Sequence, residues 1–277
     1  MNSLLAIARI AGWDAHIIGE KAGKAQETTA LQGPRAEYVG QHCGLMGAVT
    51  NRCRKEIEMD YNSAINSYQK RPPRQAVILF NGSDLSNWIT RDRRPAGWKI
   101  KNKMLQVVPG QGDIMTIEVF MDFFLHLEFR CAVMPWAQGQ DKSNSGVYLQ
   151  GRYEIQILDS YGTKVPGKGD CGAVYNQIAP LINANKPPMT WQTYDIIFRS
   201  ARMNGSRIQS PAYLTAFHNG LVIHNNVHLP GVTGEAIDSH IEKPGPILLQ
   251  DHGDPVSFRN IWAVSLPLKG SDAYEPR

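Results

Sequence analysis

Between Asn144 and Asp159 the chain reads Asn-Ser-Gly-Val-Tyr-Leu-Gln-Gly-Arg-Tyr-Glu-Ile-Gln-Ile-Leu-Asp. Glu154 and Gln156 stand two apart, so on a strand they point the same way. A carboxylate and an amide beside aromatic residues suit sugar recognition. The polar groups bind hydroxyls in a fixed geometry, and aromatic faces pack on the apolar side of the ring. As one strand, Tyr148, Gln150, Arg152, Glu154 and Gln156 share a face, and Val147, Leu149, Tyr153, Ile155 and Ile157 share the other. That strand is longer than most. Gly151-Arg152 can instead form a two-residue turn, which places Glu154 and Gln156 beside Leu149 and Val147. Both arrangements keep Glu154 and Gln156 together. The competing reading of such alternation is a solvated strand face.

Other residues are candidates for the same chemistry. Glu154 reads as a base or metal ligand, or as a hydroxyl-binding carboxylate. Gln156 and Tyr148 read as partners of sugar hydroxyls. Asp159 is an acid/base candidate, although an Asp at a strand end commonly serves a turn. It has opposite parity to Glu154, so only a bulge or a strand end brings both into one groove. His252, in Gln250-Asp251-His252-Gly253, reads as a ligand, a proton donor or a structural loop histidine. Arg259 can clamp an oxyanion or pair with Glu154. Trp191 and Tyr175 can stack on a sugar, while a Trp in a sandwich also suits the core. His224 and His228, four apart, share a face on a regular strand and make a weak metal pair.

Positioning such a face takes a sheet, and the rest of the chain supplies one. The 277 residues, 42% hydrophobic and 19% charged, are enough for a real core and are not those of a disordered chain. The 17 prolines and 25 glycines suit many turns. Strands are predicted over Val77–Phe80, Met104–Val108, Phe123–Val133 and Val256–Leu266. Tyr213–His218 and Leu221–Leu229 flank Asn219-Gly220, a strong hairpin signal. In Phe123–Val133 the odd-numbered apolar residues take one face, while Phe124, His126, Glu128 and Arg130 take the other. The pattern predicts an all-β protein, a two-sheet sandwich or jelly roll.

Composition also excludes classes. The formal charge of +4 is mildly basic, with no dense Lys/Arg run for nucleic acid. No run of 18 apolar residues predicts a transmembrane helix. Cys43, Cys53, Cys131 and Cys171 form no C-x-x-C pair, and one or two bridges remain open. Met1–Gly12 lacks the basic n-region of a signal peptide. The expected organisation is an N-terminal helical or irregular segment over 1–66, a linker over 67–76, a β domain over 77–267 and a tail over 268–277. The linker rests on Lys70-Arg71-Pro72-Pro73-Arg74, which can continue neither helix nor ladder.

Several runs together resemble the 3-keto-disaccharide hydrolase domain family, from about 77 to 267. They begin with Leu79-Phe80-Asn81-Gly82-Ser83-Asp84-Leu85-Ser86-Asn87-Trp88 and continue with Asn144-Ser145-Gly146 and Tyr153-Glu154-Ile155-Gln156-Ile157-Leu158-Asp159. Gly172-Ala173-Val174-Tyr175, Trp191-Gln192-Thr193-Tyr194-Asp195 and Asn219-Gly220 follow in order. Gly245-Pro246-Ile247-Leu248-Leu249-Gln250-Asp251-His252-Gly253 and Phe258-Arg259-Asn260-Ile261-Trp262 complete it. The resemblance implies a concanavalin A-like jelly roll and a carbohydrate-active enzyme that cleaves 3-keto-disaccharides or 3-keto-glycosides, by hydrolysis or by elimination and rehydration. It implies export, and a divalent metal for which Glu154 and His252 are the ligand candidates. The catalytic candidates are Glu154, Asp159 and His252. The substrate-binding candidates are Tyr148, Gln150, Arg152, Gln156, Tyr175, Trp191 and Arg259. A lectin-like binding module on the same fold is the alternative. A ketone at C3 acidifies the C2 proton, so one base and one group stabilising the oxyanion suffice. An ordinary glycosidase needs two carboxylates at a defined separation.

Residues 5–18 and Pro34–Gly40 are similar to the C-terminal end of citrate synthase, with Arg9 and Arg35 at its carboxylate-binding positions. That enzyme's catalytic histidines and aspartate have no counterpart here, so the segment reads as a fusion remnant or a misassigned start rather than a second activity.

Overall fold

The computed structural model describes residues 70–267. The expectations for residues 1–66, with Arg9, Arg35, Cys43 and Cys53, and for the tail lie outside the described residues. The strands, in chain order, are β1 (Val77–Phe80), β2 (Trp88–Thr90), β3 (Lys99–Lys101), β4 (Met104–Gln106) and β5 (Ile114–Phe120). Then come β6 (Phe123–Arg130), β7 (Asn144–Leu149), β8 (Tyr153–Leu158), β9 (Gln192–Arg199) and β10 (Arg202–Asn204). The last are β11 (Arg207–Ser210), β12 (Tyr213–His218), β13 (Leu221–His228), β14 (Gly245–Leu249) and β15 (Ser257–Ser265). Among the described residues there is no α-helix, only a 3-10 turn at Gly139–Asp141.

One sheet runs β13-β12-β9-β6-β15-β4-β3, and β1 shares the far edge of β15 with β4. The second runs β2-β5-β14-β7-β8, while β10 and β11 form a small hairpin of their own. The pairings are antiparallel, and many neighbours are distant in sequence. This is the jelly-roll sandwich that the turn-rich, alternating sequence predicts.

The two sheets bury their apolar faces against each other. Leu125, Leu127 and Phe129 of β6, Ile196 and Phe198 of β9, and Ile155 and Ile157 of β8 are fully buried. Rings bridge the layers: Tyr153 meets Phe198 at 5.5 Å and Phe120 meets Phe123 at 5.6 Å between centroids. The opening Leu79-to-Trp88 run is structural. Leu79, Phe80 and Trp88 are buried, and the Trp88 indole N–H donates to the Leu79 carbonyl at 2.8 Å. Cys131 and Cys171 are buried free thiols, so neither joins a bridge here.

Three expectations need correction. The 144–159 run is a hairpin rather than one strand, and its turn sits one residue earlier than Gly151-Arg152. Gln150 and Gly151 both take left-handed backbone, at φ 55 and 65, and Arg152 N–H closes the turn onto the Leu149 carbonyl. The three-residue connection pairs Glu154 with Tyr148 and Gln156 with Gly146, not with Leu149 and Val147. On β13 the ladder with β12 shifts register, and Asn226 sits at φ 49, so parity breaks. His224 is buried with Nε2 2.7 Å from the Gly172 carbonyl, while His228 is exposed, and they make no pair. On β6 the polar face is covered too: His126 and Glu128 are fully buried.

Candidate functional site

β7 and β8 form one side of the five-stranded sheet. Their inward residues, Val147, Leu149, Ile155 and Ile157, enter the core, which turns Asn144, Gly146, Tyr148, Glu154 and Gln156 to the opposite face. There they meet a pocket of about 270 Å³ that Gln140, Tyr175, Gly234, Glu235, Gln250 and His252 also line. The pocket is built by pairing. Ser145 Oγ donates to the Gln250 carbonyl at 2.7 Å, and Gln250 N–H donates to the Gly146 carbonyl at 3.0 Å. Asp251 accepts from the N–H groups of Gly112 and Gly253 and fixes the turn that carries His252. Residues 172–175 run along β8: Gln156 N–H donates to the Ala173 carbonyl, and Tyr175 N–H to that of Glu154.

Glu154 lies at the centre and is only 3% exposed. The Tyr148 hydroxyl donates to Glu154 Oε2 at 2.9 Å, and Gln250 Nε2 donates to that hydroxyl at 3.3 Å. Burial pushes the Glu154 carboxyl up to about 7; Asp113 and Glu235 push the same way, against the Tyr148 hydrogen bond. Burial and the Glu154 charge raise Tyr148, which stays a phenol and a donor. Gln156 donates to Gln140 Oε1 at 3.1 Å and Asn144 Oδ1 at 3.3 Å. The Oε1 atoms of Gln156 and Gln250 are buried without a protein partner. Unsatisfied acceptors in a pocket wall are what sugar hydroxyls satisfy.

Gly146 makes room for this arrangement. A Cβ there would stand 2.5 Å from Glu154 Oε1 and 3.0 Å from its Cγ. The clash falls on a side chain and not on the backbone, so Gly146→Ala should displace the carboxyl and spare the fold. A displacement of this kind costs about 100-fold in turnover. The check is kcat beside an unchanged unfolding midpoint.

Of the residues expected at the site, Glu154, His252, Tyr148, Gln156 and Tyr175 converge on the pocket. The others do not. Asp159 accepts from Tyr161 N–H at 3.3 Å, two residues on, and so serves a turn. The left-handed turn drives Gln150 inward, where Nε2 donates to the Phe120 carbonyl at 2.9 Å. Arg152 is buried beneath a loop, with Nε 2.6 Å from Asp238 Oδ1. Arg259 pairs with Glu128 rather than Glu154, at 2.8 Å, and lies 4.1 Å over the Trp191 ring. Trp191 is therefore a half-buried platform for arginine on the other sheet, away from the pocket.

That other face holds a larger hollow of about 490 Å³, lined by Glu128, Arg259, Asn260 and Trp262 among others. Burial opposes the Glu128 charge, but hydrogen bonds with His126, Asn260 and Arg259 outweigh it and hold the carboxyl at about 2. A carboxylate so engaged is a poor base. The smaller pocket carries the better chemistry.

The metal implied by the resemblance has its two candidate ligands at this pocket. Glu154 and His252 share the pocket, yet among the described residues no three His, Cys, Asp or Glu side chains gather where an ion could sit. Glu235, Gln140, Asn144 and Gln250 were missed as site residues. The last two lay inside recognised motifs, but Gln140 and Glu235 sit in loops whose sequence carries no period that would reveal them.

A jelly-roll sandwich with an amide- and carboxylate-lined pocket defines the carbohydrate-active β-sandwich class. The chain belongs to the family of 3-keto-alpha-glucoside-1,2-lyase-like domains, whose model matches residues 75–264. It is similar to a solved candidate glycosyl hydrolase from Parabacteroides distasonis, 33% identical, with a TM-score of 0.65 over 72% of this chain and 94% of that one. A second candidate glycosyl hydrolase from the same organism is 20% identical, with a TM-score of 0.52 over 70% of this chain and 94% of that one, and supports the fold. None of the curated proteins compared with the chain matches it. Among the described residues no helix is long and apolar enough to cross a membrane.

Proposed function

We propose that this protein cleaves the glycosidic bond of 3-keto-glycosides by removing the proton on C2, with Glu154 as the base. One observation carries the reading: a buried carboxyl, raised to about 7, lies in a pocket whose amides hold buried acceptors without a protein partner. A base is most effective when its pKa lies near the working pH. Glu154 takes the C2 proton, and the electron pair moves toward the C3 oxygen as an enolate. That pair then returns to re-form the ketone, C1 and C2 become doubly bonded, and the C1 oxygen leaves. His252, at the pocket's exposed rim with Nδ1 3.5 Å from Asp254, gives the leaving oxygen its proton. Gln250 Nε2 has an N–H beyond the one used on Tyr148 and meets the enolate oxygen. Tyr148 holds Glu154 in place as a donor. Addition of water across the new double bond completes a net hydrolysis.

The test is NMR of a 3-keto-disaccharide in deuterated water. Deuterium at C2 together with bond cleavage is expected. The exchange rate should rise with pH through about 7, because the base works only when ionised. Cleavage with no C2 label would point to direct hydrolysis. No cleavage, with sugar signals broadened, would make the protein a lectin-like binder. Loss of exchange on adding a chelator would restore a metal to the site.

A further inference from the structure

Glu235 belongs to none of the motifs that point to the pocket, yet it lines it. Two arginines pin its loop. Arg152, 2% exposed, bonds Asp238 through Nε at 2.6 Å and donates from Nη1 to the Lys243 carbonyl at 2.9 Å. Arg91, paired with Asp113, donates from Nη2 to the Glu235 carbonyl at 2.7 Å. Thr233 ties the loop to the site itself: its Oγ1 accepts from Glu154 N–H at 2.9 Å. Ile237 N–H donates to the Gly151 carbonyl at 2.9 Å. Within this frame the Glu235 backbone is held at φ 59, a left-handed conformation that costs a residue with a Cβ. Such a conformation persists where the surroundings over-determine it, as they do at ligand sites.

The pocket's charge is one-sided. Glu154 and Glu235 line it, with no Lys or Arg among the lining residues and His252 as the sole group able to become cationic. Its unpartnered buried atoms are acceptors, the Oε1 of Gln156 and the Oε1 of Gln250, and Glu235 adds a carboxylate to the lining. Acceptors bind hydroxyl donors, and carboxylates without a counter-cation repel anions.

Building on the reading of the pocket as a sugar site, we propose that Glu235 binds the substrate through its hydroxyls and selects a neutral sugar over one carrying a carboxylate. A carboxylate–hydroxyl bond is charge-assisted and strong in a partly enclosed site. Arg152 is then a positioning residue that acts through the loop.

The test compares methyl 3-keto-glucoside with methyl 3-keto-glucuronoside, using the full chain. For wild type a preference of about 100-fold in kcat/KM for the neutral sugar is expected. In Glu235→Gln, KM for the neutral sugar should rise about 10-fold, kcat should hold within about 2-fold, and the preference should shrink about 10-fold. An unchanged KM and preference would overturn the proposal. So would a fall in kcat at constant KM, which would place Glu235 in the chemistry instead. Calorimetric Kd values for both sugars, with Glu235 intact and replaced, judge the proposal even if the wild type shows no C2 exchange. Failure of Glu154 as the base is thereby kept apart from failure of Glu235 as the selector.

Discussion

Glu154→Gln should abolish C2 exchange and bond cleavage, leave sugar affinity within a few-fold, and stabilise the protein above neutral pH. The loss of turnover follows from chemistry, since an amide cannot accept the C2 proton. Affinity is spared because Gln keeps the volume and still accepts the Tyr148 hydroxyl. The gain in stability follows from linkage. The folded carboxyl is raised from 4.5 to about 7 by burial, so between these values the folded protein holds a proton that the unfolded chain has released. The stability this proton confers is complete below about 4.5 and is lost as pH rises through about 7. The shift amounts to about 3 kcal/mol at most. A glutamine meets no such cost, so the variant should gain up to this amount at pH 8 and nothing at pH 4. Urea midpoints at both pH values measure it. Equal midpoints for variant and wild type at pH 8 would mean that Glu154 ionises freely and is no poised base.

Glu128→Ala should weaken the fold by about 3 kcal/mol without removing a group from the pocket. Glu128 is fully buried, and three partners among the described residues face it. Arg259 Nε donates at 2.8 Å, Asn260 Nδ2 at 3.0 Å, and His126 stands 3.8 Å away with Asp195 at its Nδ1, 2.8 Å off. Burial lowers the His126 pKa, but the two carboxylates raise it more strongly, so the net shift is upward. Removing Glu128 takes away the buried carboxylate to which Arg259 and Asn260 donate, and leaves His126 facing Asp195. A buried pair broken on one side is costly chiefly because the partner is left behind. The double variant Glu128→Ala/Arg259→Ala should therefore lose less than the sum of the single losses. Additive losses would show that the two side chains do not depend on each other. Retention of C2 exchange by folded Glu128→Ala would confirm that this cluster is scaffold.

The layered fold was readable because alternation and turn chemistry report it locally. The odd-numbered residues of Phe123–Phe129 are the core of β6, and Asn219 and Gly220 take φ 52 and 80 as their hairpin requires. What escaped was set by geometry at a distance. One extra residue in the β7–β8 turn moved Gln150 into the interior and left Glu154 facing Tyr148. Arg259 found Glu128 because β15 pairs with β6, a register no local pattern announces. Alternation puts His126 and Glu128 on the strand's polar face, and only the stacking of Trp262 on His126 at 5.1 Å and the Arg259 pair reveal the cover. Glu235 sits in a loop whose place depends on two arginine contacts distant in sequence. By contrast, Asn144-Ser145-Gly146 carried its meaning in order: an amide at the pocket, a hydroxyl holding the next strand, and a glycine that lets the carboxyl lie close.

β8 ends its sheet, so the strand that carries Glu154 would present a bare row of N–H and C=O groups to other molecules. Residues 172–175 occupy that row and in the same stroke bring Tyr175 to the pocket. This segment therefore both lines the pocket and, with Thr233 beside it, covers the edge of β8. A substitution that loosens Ala173–Tyr175 would disturb the site and uncover an aggregation-prone edge together. Loss of solubility should then accompany loss of activity, and selection for colloidal stability alone would tend to preserve this wall of the pocket.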